Sequence, residues 1–214
     1  MVQPKLIDVD ARKYQSIIAG HGYALDGGNA NSPDAQTWQT MYGWGAQYNM
    51  PLWMTETSGY SNDMKGAIDL SKAMYTAINF GNISAWLYWE LSQQTIDEFS
   101  LMSSSGDKSK RYYVSKNFYR YVRPGDYRIQ SSASDNSKIY SLGFKNDIAK
   151  TTTIILINDK ANDEAVKLSG SNLPSQFNKY VTSVNADCKN YGVVKNSDAI
   201  LLPANSVTTL YAKE

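Results

Sequence analysis

From Pro51 to Glu56 the chain reads Pro-Leu-Trp-Met-Thr-Glu, an apolar run that delivers a carboxylate and then breaks at Thr57-Ser58-Gly59. A near-continuous apolar run of this length suits a parallel strand covered on both faces. Downstream, Met64, Ala67, Ile68, Ser71, Met74, Tyr75 and Ile78 recur at helical spacing. A second apolar and aromatic run, Ile83 to Trp89, follows and meets Glu90-Leu91-Ser92. Strand, helix and strand in that order predict a βαβ unit. An earlier run from Tyr14 to Gly20 leads into His21-Gly22-Tyr23, and a Ser/Pro/Asp helix start near Pro33 predicts a helix to Tyr48. Three strand ends thus present His21 with Tyr23, Glu56, and Trp89.

In β/α architectures the residues that act sit where the strands end. Carboxylates supply acid, base or nucleophile for glycoside chemistry, and flat aromatic faces stack on pyranose rings. The chemistry expected at these strand ends is therefore that of a sugar site, with Glu56 as its first candidate. The plainer alternatives are that Glu56 caps the next helix or pairs with a lysine, and that His21 is an ordinary loop histidine.

Beyond Arg123-Pro124-Gly125 the pattern changes to short β-biased segments separated by Asn, Asp, Gly and Ser breaks. Segments at 127–129, 139–144, 151–157, 164–168, 177–182, 192–194, 199–202 and 207–212 predict an antiparallel β-sandwich. The expected organisation is a partial (β/α) barrel over 1–122 and a β-sandwich side domain over 123–214. No Pro/Ser/Thr-rich tether separates them, so the second part reads as a packed side domain and not as an independent binder. A complete eight-stranded barrel takes about 250 residues, and only three βα units fit before Arg123.

With 21 basic and 20 acidic residues among 214, the chain has no electrostatic footprint of a nucleic-acid binder. Its 16 Tyr and 5 Trp favour carbohydrate over phosphate contact. A lone Cys188 forms no internal disulfide, and a single His leaves no transition-metal spacing. There is no Gly-rich phosphate loop, and no run approaches the length of a membrane span. No cofactor is called for. The first residues have no signal-peptide core.

The order Pro-Leu-Trp-Met-Thr-Glu-Thr-Ser-Gly, Ile-Ser-Ala-Trp-Leu-Tyr-Trp-Glu-Leu-Ser, Tyr-Val-Arg-Pro-Gly and Leu-Pro-Ala-Asn-Ser-Val-Thr-Thr resembles the C-terminal half of glycoside hydrolase family 30. That family includes glucuronoxylanases, other xylanases, β-1,6-glucanases and glucosylceramidases. The resemblance implies an α/β plus all-β chain: the C-terminal βα units (β6–β8) of a (β/α)8 TIM barrel followed by the antiparallel β-sandwich. It implies a retaining endo-β-glycanase of xylanase type with Glu56 as nucleophile. Trp89 would pack on the sugar at the cleaved bond, His21 and Tyr23 would line the site and orient the nucleophile, and Glu90 would pair or contact substrate.

The family's acid/base lies in an Asn-Glu pair on an earlier strand, and no Asn-Glu occurs here. Glu98 and Asp26 are the other nearby acids, and neither is expected to fill that role. The expectation is a C-terminal fragment lacking its acid/base, which either cannot hydrolyse glycosides efficiently by itself or assembles with a missing N-terminal barrel half or a second copy of itself. Its substrate would be a β-linked polysaccharide or oligosaccharide, in an extracellular or periplasmic setting. Glucuronoxylan-specific members carry arginines just after the eighth strand, where this chain has Trp89-Glu90-Leu91-Ser92-Gln93-Gln94, which argues against strict dependence on glucuronate. The rival readings are a non-catalytic carbohydrate-binding protein, a β-1,6-glucanase, and a glucosylceramidase-like β-glycosidase.

Overall fold

Local signals start the elements where the sequence places them. A computed structural model describes residues 3–23, 34–134 and 138–214. Helices α1 (Gln3–Ile7) and α2 (Val9–Arg12) lead to strand β1 (Ile18–His21), helix α3 (Ala35–Tyr48), strand β2 (Leu52–Glu56), helix α4 (Met64–Gly81) and strand β3 (Ala85–Trp86). The Asp34 carboxylate accepts from the Thr37 amide at 2.8 Å, and Asp63 accepts from the Gly66 amide at 2.9 Å. Each satisfies an amide that a helix start leaves without an intrahelical partner. Asn49 ends α3 in the left-handed conformation, φ 53°.

β1, β2 and β3 form a parallel sheet in the order β1-β2-β3, as the sequence predicts. β1 is shorter than the expected run, because Tyr14 and Gln15 close a turn on Ala11 and Arg12 and Tyr14 faces solvent. One sheet face is dry. Ile18 and Leu52 pack with Leu6, Trp44 and Met50, while Met54 packs with Trp38 of α3 and Ala77 of α4. Of these, the fully buried Leu6, Ile18, Leu52 and Met54 side chains contribute about 1.5–3 kcal/mol each. Ala19, Trp53 and Ala85 are register partners on the other face, where Trp53 is 37% exposed.

After the short parallel pair β4 (Ser92–Gln93) and β5 (Met102–Ser103), helix α5 (Lys110–Tyr119) precedes the β region. Strands β6 (Tyr127–Ile129), β7 (Ile139–Asn146), β8 (Thr151–Asn158), β9 (Glu164–Val166), β10 (Gln176–Ser183), β11 (Ala186–Lys195), β12 (Ile200–Leu202) and β13 (Ser206–Lys213) complete the chain. Six of them form an antiparallel sheet in the order β11-β10-β13-β8-β7-β6, and β12 pairs with β9. Phe177, Ile154, Leu156 and Leu210 of the large sheet pack with Ile200 and Leu202 of β12. The fold is thus βα units followed by an antiparallel β region. The described chain divides into two compact units, Met1–Tyr60 with Ala73–Asp107 and Ser61–Lys72 with Lys108–Glu214.

Candidate active site

Glu56 would face the helices if β2 simply alternated from Leu52 and Met54. A register shift prevents this. Gly20 pairs with Met54, but His21 pairs with Glu56, so Thr55 is an extra residue on β2. One added residue re-aims the next side chain to the opposite face, and Glu56 joins His21 on the face of Ala19 and Trp53. The Thr55 hydroxyl donates to the Gly20 carbonyl at 3.2 Å, and the Gly22 amide donates to the Glu56 carbonyl at 2.7 Å.

Three residues singled out in the sequence meet here. The Tyr23 hydroxyl donates to Glu56 Oε1 at 3.2 Å, and His21 Nδ1 lies 3.6 Å from the same oxygen, an ion pair when the imidazole is protonated. The His21 and Tyr23 rings meet edge to face at 5.9 Å. Ser58, which sequence reasoning treated only as part of a strand break, is buried with its hydroxyl 3.1 Å from that of Tyr23. Glu56 and Ser58 are two apart on an extended segment, and that period-2 spacing is the signal that could have found it. Burial raises the Tyr23 hydroxyl above its ordinary pKa; the Ser58 hydrogen bond opposes the rise and the negative Glu56 beside it adds to it. Tyr23 therefore stays protonated as a donor to the carboxylate.

Trp89 is held beside this group by its amide, which donates to the Thr57 carbonyl at 2.8 Å, and its side chain is 53% exposed. A cis peptide joins it to Glu90. Glu90 is fixed through its backbone, donating to the Phe99 carbonyl and accepting from the Leu101 amide at 3.1 Å. The loop carrying Glu98 is pinned, since its carbonyl accepts from the Tyr88 hydroxyl at 2.7 Å and the Gly59 amide at 3.0 Å. Gly59 adopts φ 82° there, a conformation open to glycine. Asp26 lies outside the described residues.

Among the described residues, the side-chain partners of Glu56 are Tyr23 and His21, and no carboxylate pairs with it. No described group of three His, Cys, Asp or Glu could hold a metal ion. The arrangement offers one oriented carboxylate, a hydroxyl and an imidazole on one of its oxygens, and an exposed indole nearby.

No family profile matches the chain. Over 170 residues it is 29% identical to the glucuronoxylanase XynC of Bacillus subtilis (strain 168), a match covering 74% of this chain and 38% of the relative. Among solved structures it resembles a GH30 endoxylanase from Clostridium papyrosolvens C71, with TM-score 0.83, 26% identity, and coverage of 100% of this chain and 53% of that one. It also resembles Xyn30A, a family 30 subfamily 8 xylanase from Clostridium acetobutylicum, with TM-score 0.79 and 24% identity over 99% of this chain and 52% of that one. The chain spans about half the length of these solved structures and less of the curated relative.

Proposed function

On the premise that this chain belongs, at the level of its domains, to glycoside hydrolase family 30, we propose that it carries the nucleophile side of a xylanase-type endo-β-glycanase site. Glu56 is the nucleophile of a retaining mechanism, and the observation that carries this reading is its bulged strand end. There the carboxylate leaves the dry face of the sheet and receives Tyr23 and His21 on a single oxygen. Oε2 is left to attack. Trp89 packs on the sugar, and Glu90 lies next to it in the chain to contact substrate.

Retaining hydrolysis needs a second carboxyl about 5 Å from the nucleophile, acting first as acid and then as base. In this reading that carboxyl comes from polypeptide outside this chain, a complementary barrel half. The one-sided sheet supports it: parallel sheets are normally covered on both faces, and the face of Trp53 and Leu87 remains 37% and 48% exposed at those residues. We take 1–122 as the partial (β/α)8 barrel and 123–214 as the β-sandwich side domain. The substrate is a β-linked, xylan-type polysaccharide met outside the cytoplasm, in an extracellular or periplasmic setting.

The test is intact mass spectrometry after incubation with activated 2-fluoro xyloside and 2-fluoro glucoside, with Glu56→Gln as control. A single adduct mapped to Glu56 and absent from the control is expected, with the xyloside the faster reagent. A folded chain that gains no adduct from either reagent, alone or mixed with a complementary barrel half, would refute the assignment.

A further inference from the structure

Counting protons at Glu56 fixes the direction in which the Ser58 hydroxyl must point. Tyr23 has a single phenolic proton, and it goes to Glu56 Oε1 at 3.2 Å. Turning that proton away would set the phenol's lone pairs against an acceptor-only carboxylate oxygen. The 3.1 Å contact between the Tyr23 and Ser58 hydroxyls is then made in one direction: Ser58 donates and Tyr23 accepts. Ser58 is only 2% exposed, so its hydroxyl does not turn to water instead. Among the described residues, Tyr23 is its hydrogen-bond partner. The protons therefore run one way, from Ser58 to Tyr23 to Glu56.

The backbone that carries Ser58 is held on both sides. The Thr57 carbonyl accepts from the Trp89 amide at 2.8 Å, and the Gly59 amide donates to the Glu98 carbonyl at 3.0 Å. Thr57 is itself buried. Ser58 thus sits between two anchors, each one residue away, and its hydroxyl is presented at a set place beside the Tyr23 ring. A hydroxyl that accepts one hydrogen bond donates a stronger one. Burial raises the Tyr23 pKa most, the charge and hydrogen bond of Glu56 raise it further, and the Ser58 bond is the influence that opposes them. The carboxylate's own side-chain partners are Tyr23 and His21, so an effect of the Ser58 hydroxyl on Glu56 passes through the phenol.

We propose that Ser58 is a positioning residue for the Glu56 carboxylate and acts through Tyr23. Its donated hydrogen bond occupies a lone pair of the phenol, keeps the phenolic proton on Oε1, and so holds Oε2 toward the sugar carbon. The role in attack rests on the reading of Glu56 as the nucleophile. Without the Ser58 hydroxyl, the phenolic proton and the carboxylate plane both gain freedom to rotate, and alignment for attack is lost part of the time. Ser58 touches neither the sugar nor the reacting atoms in this scheme. Its contribution is the aim of a group that does.

The experiment is a double-mutant cycle between Ser58→Ala and Tyr23→Phe on the whole chain, read in two ways. The first readout is NMR of chain isotope-labelled at the tyrosine Cζ and glutamate Cδ carbons, with Tyr23→Phe and Glu56→Gln assigning the two signals. Ser58→Ala should move both the Tyr23 Cζ and the Glu56 Cδ signals, and should leave Glu56 Cδ where it is once Tyr23 is already Phe. The second readout is the rate of labelling by activated 2-fluoro xyloside. Ser58→Ala should lower the maximal rate about threefold at an unchanged half-saturating concentration, with no further slowing on top of Tyr23→Phe. Ser58→Cys, whose thiol is a weaker donor, should fall between Ser and Ala, and it runs the same cycle if the alanine variant does not fold. A Glu56 signal unmoved by Ser58→Ala, or a shift or slowing of equal size in both Tyr23 backgrounds, as a merely structural role would give, overturns the proposal. A parent chain that takes no label while the carbon signals move as expected refutes Glu56 as nucleophile and leaves the coupling of Ser58 to the carboxylate standing, so the two failures give different results.

Discussion

Asn117 offers the sharpest test of how the second unit is held together. It is fully buried on α5, and its side chain ties the helix to two strands. Nδ2 donates to Thr209 Oγ1 at 2.9 Å and, over a longer 3.4 Å, to the Tyr180 carbonyl, while Oδ1 accepts from Thr182 Oγ1 at 2.5 Å. Replacing it by leucine keeps an apolar filling but removes both ends of the amide. Thr182 then has no acceptor for its proton, although it still accepts from the Cys188 amide; Thr209 loses a donor but still donates to the Asn117 carbonyl. Two buried groups are left short at about 1–3 kcal/mol each, and the long Tyr180 contact adds little. We expect a loss of about 2–4 kcal/mol, a large part of the 5–15 kcal/mol that holds an ordinary domain folded.

The assay is urea unfolding followed by two probes. All five Trp lie in the first unit, whereas Tyr121 stacks on Tyr180 at 4.5 Å in the second. Seven of the sixteen Tyr also lie in the first unit, so the part of the near-UV transition that Trp fluorescence does not share reports the unit that Asn117 holds. Its midpoint should fall at an unchanged slope, while Arg120→Ala, an exposed neighbour, should stay within about 0.5 kcal/mol of the parent. A cost for Asn117→Leu below about 0.5 kcal/mol would falsify the view that this amide docks the helix.

Three further outcomes follow from the geometry. Tyr23→Phe removes a donor to the nucleophile and should slow 2-fluoro glycoside labelling of Glu56 roughly tenfold, read by mass spectrometry over time; an unchanged rate would detach Tyr23 from the chemistry. Gly66→Ala places a Cβ 2.0 Å from the Ser61 carbonyl oxygen, and since backbone must move the expected loss is about 1–3 kcal/mol in thermal or urea unfolding. Burial would raise the Asp69 pKa, but hydrogen bonds and charge from Lys65 and Lys72 outweigh it and leave the carboxyl below its ordinary value. A depressed folded pKa gives stability that is present above the ordinary carboxylate range and lost as pH falls through the lowered value. Lys72→Met should therefore flatten the decline in stability as pH falls below the ordinary carboxylate range, about 4, and identical acid profiles for variant and parent would remove that contribution.

Much of the fold was legible because it rests on patterns within single segments. The apolar runs of β1 and β2, the helix start at Asp34, and the β-biased segments after Pro124 all carry local signals. β11 was legible only at 192–194. Its first half, Ala186 to Tyr191, contains Asp187, Lys189 and Asn190, which read as turn residues. They are tolerated in a strand because β11 is an edge strand with most of its side chains in water. Similarly, the run to Trp89 is regular strand only at Ala85–Trp86, although the Leu87 and Trp89 amides still bond to Met54 and Thr57 along β2.

What the sequence hid at the candidate site has a common physical origin. Alternation is counted along one strand, but the face a side chain takes is settled between two. Counted along β2, Glu56 follows Leu52 and Met54 toward the helices; the Thr55 bulge against β1 is what puts it beside His21 and Tyr23. The bulge in β11 acts in the same way on Tyr191, which comes to lie opposite Lys179 because Gly192 shares that place in the register. In both places a residue that the pairing strand does not match frees its neighbour from the core pattern. A bulge interrupts a ladder that regular pairing would complete, so each must be compensated by contacts of its own. At Thr55 the compensation is a hydroxyl bond to Gly20, and at Gly192 it is a backbone conformation that costs glycine little, with its amide bonded to Asn190.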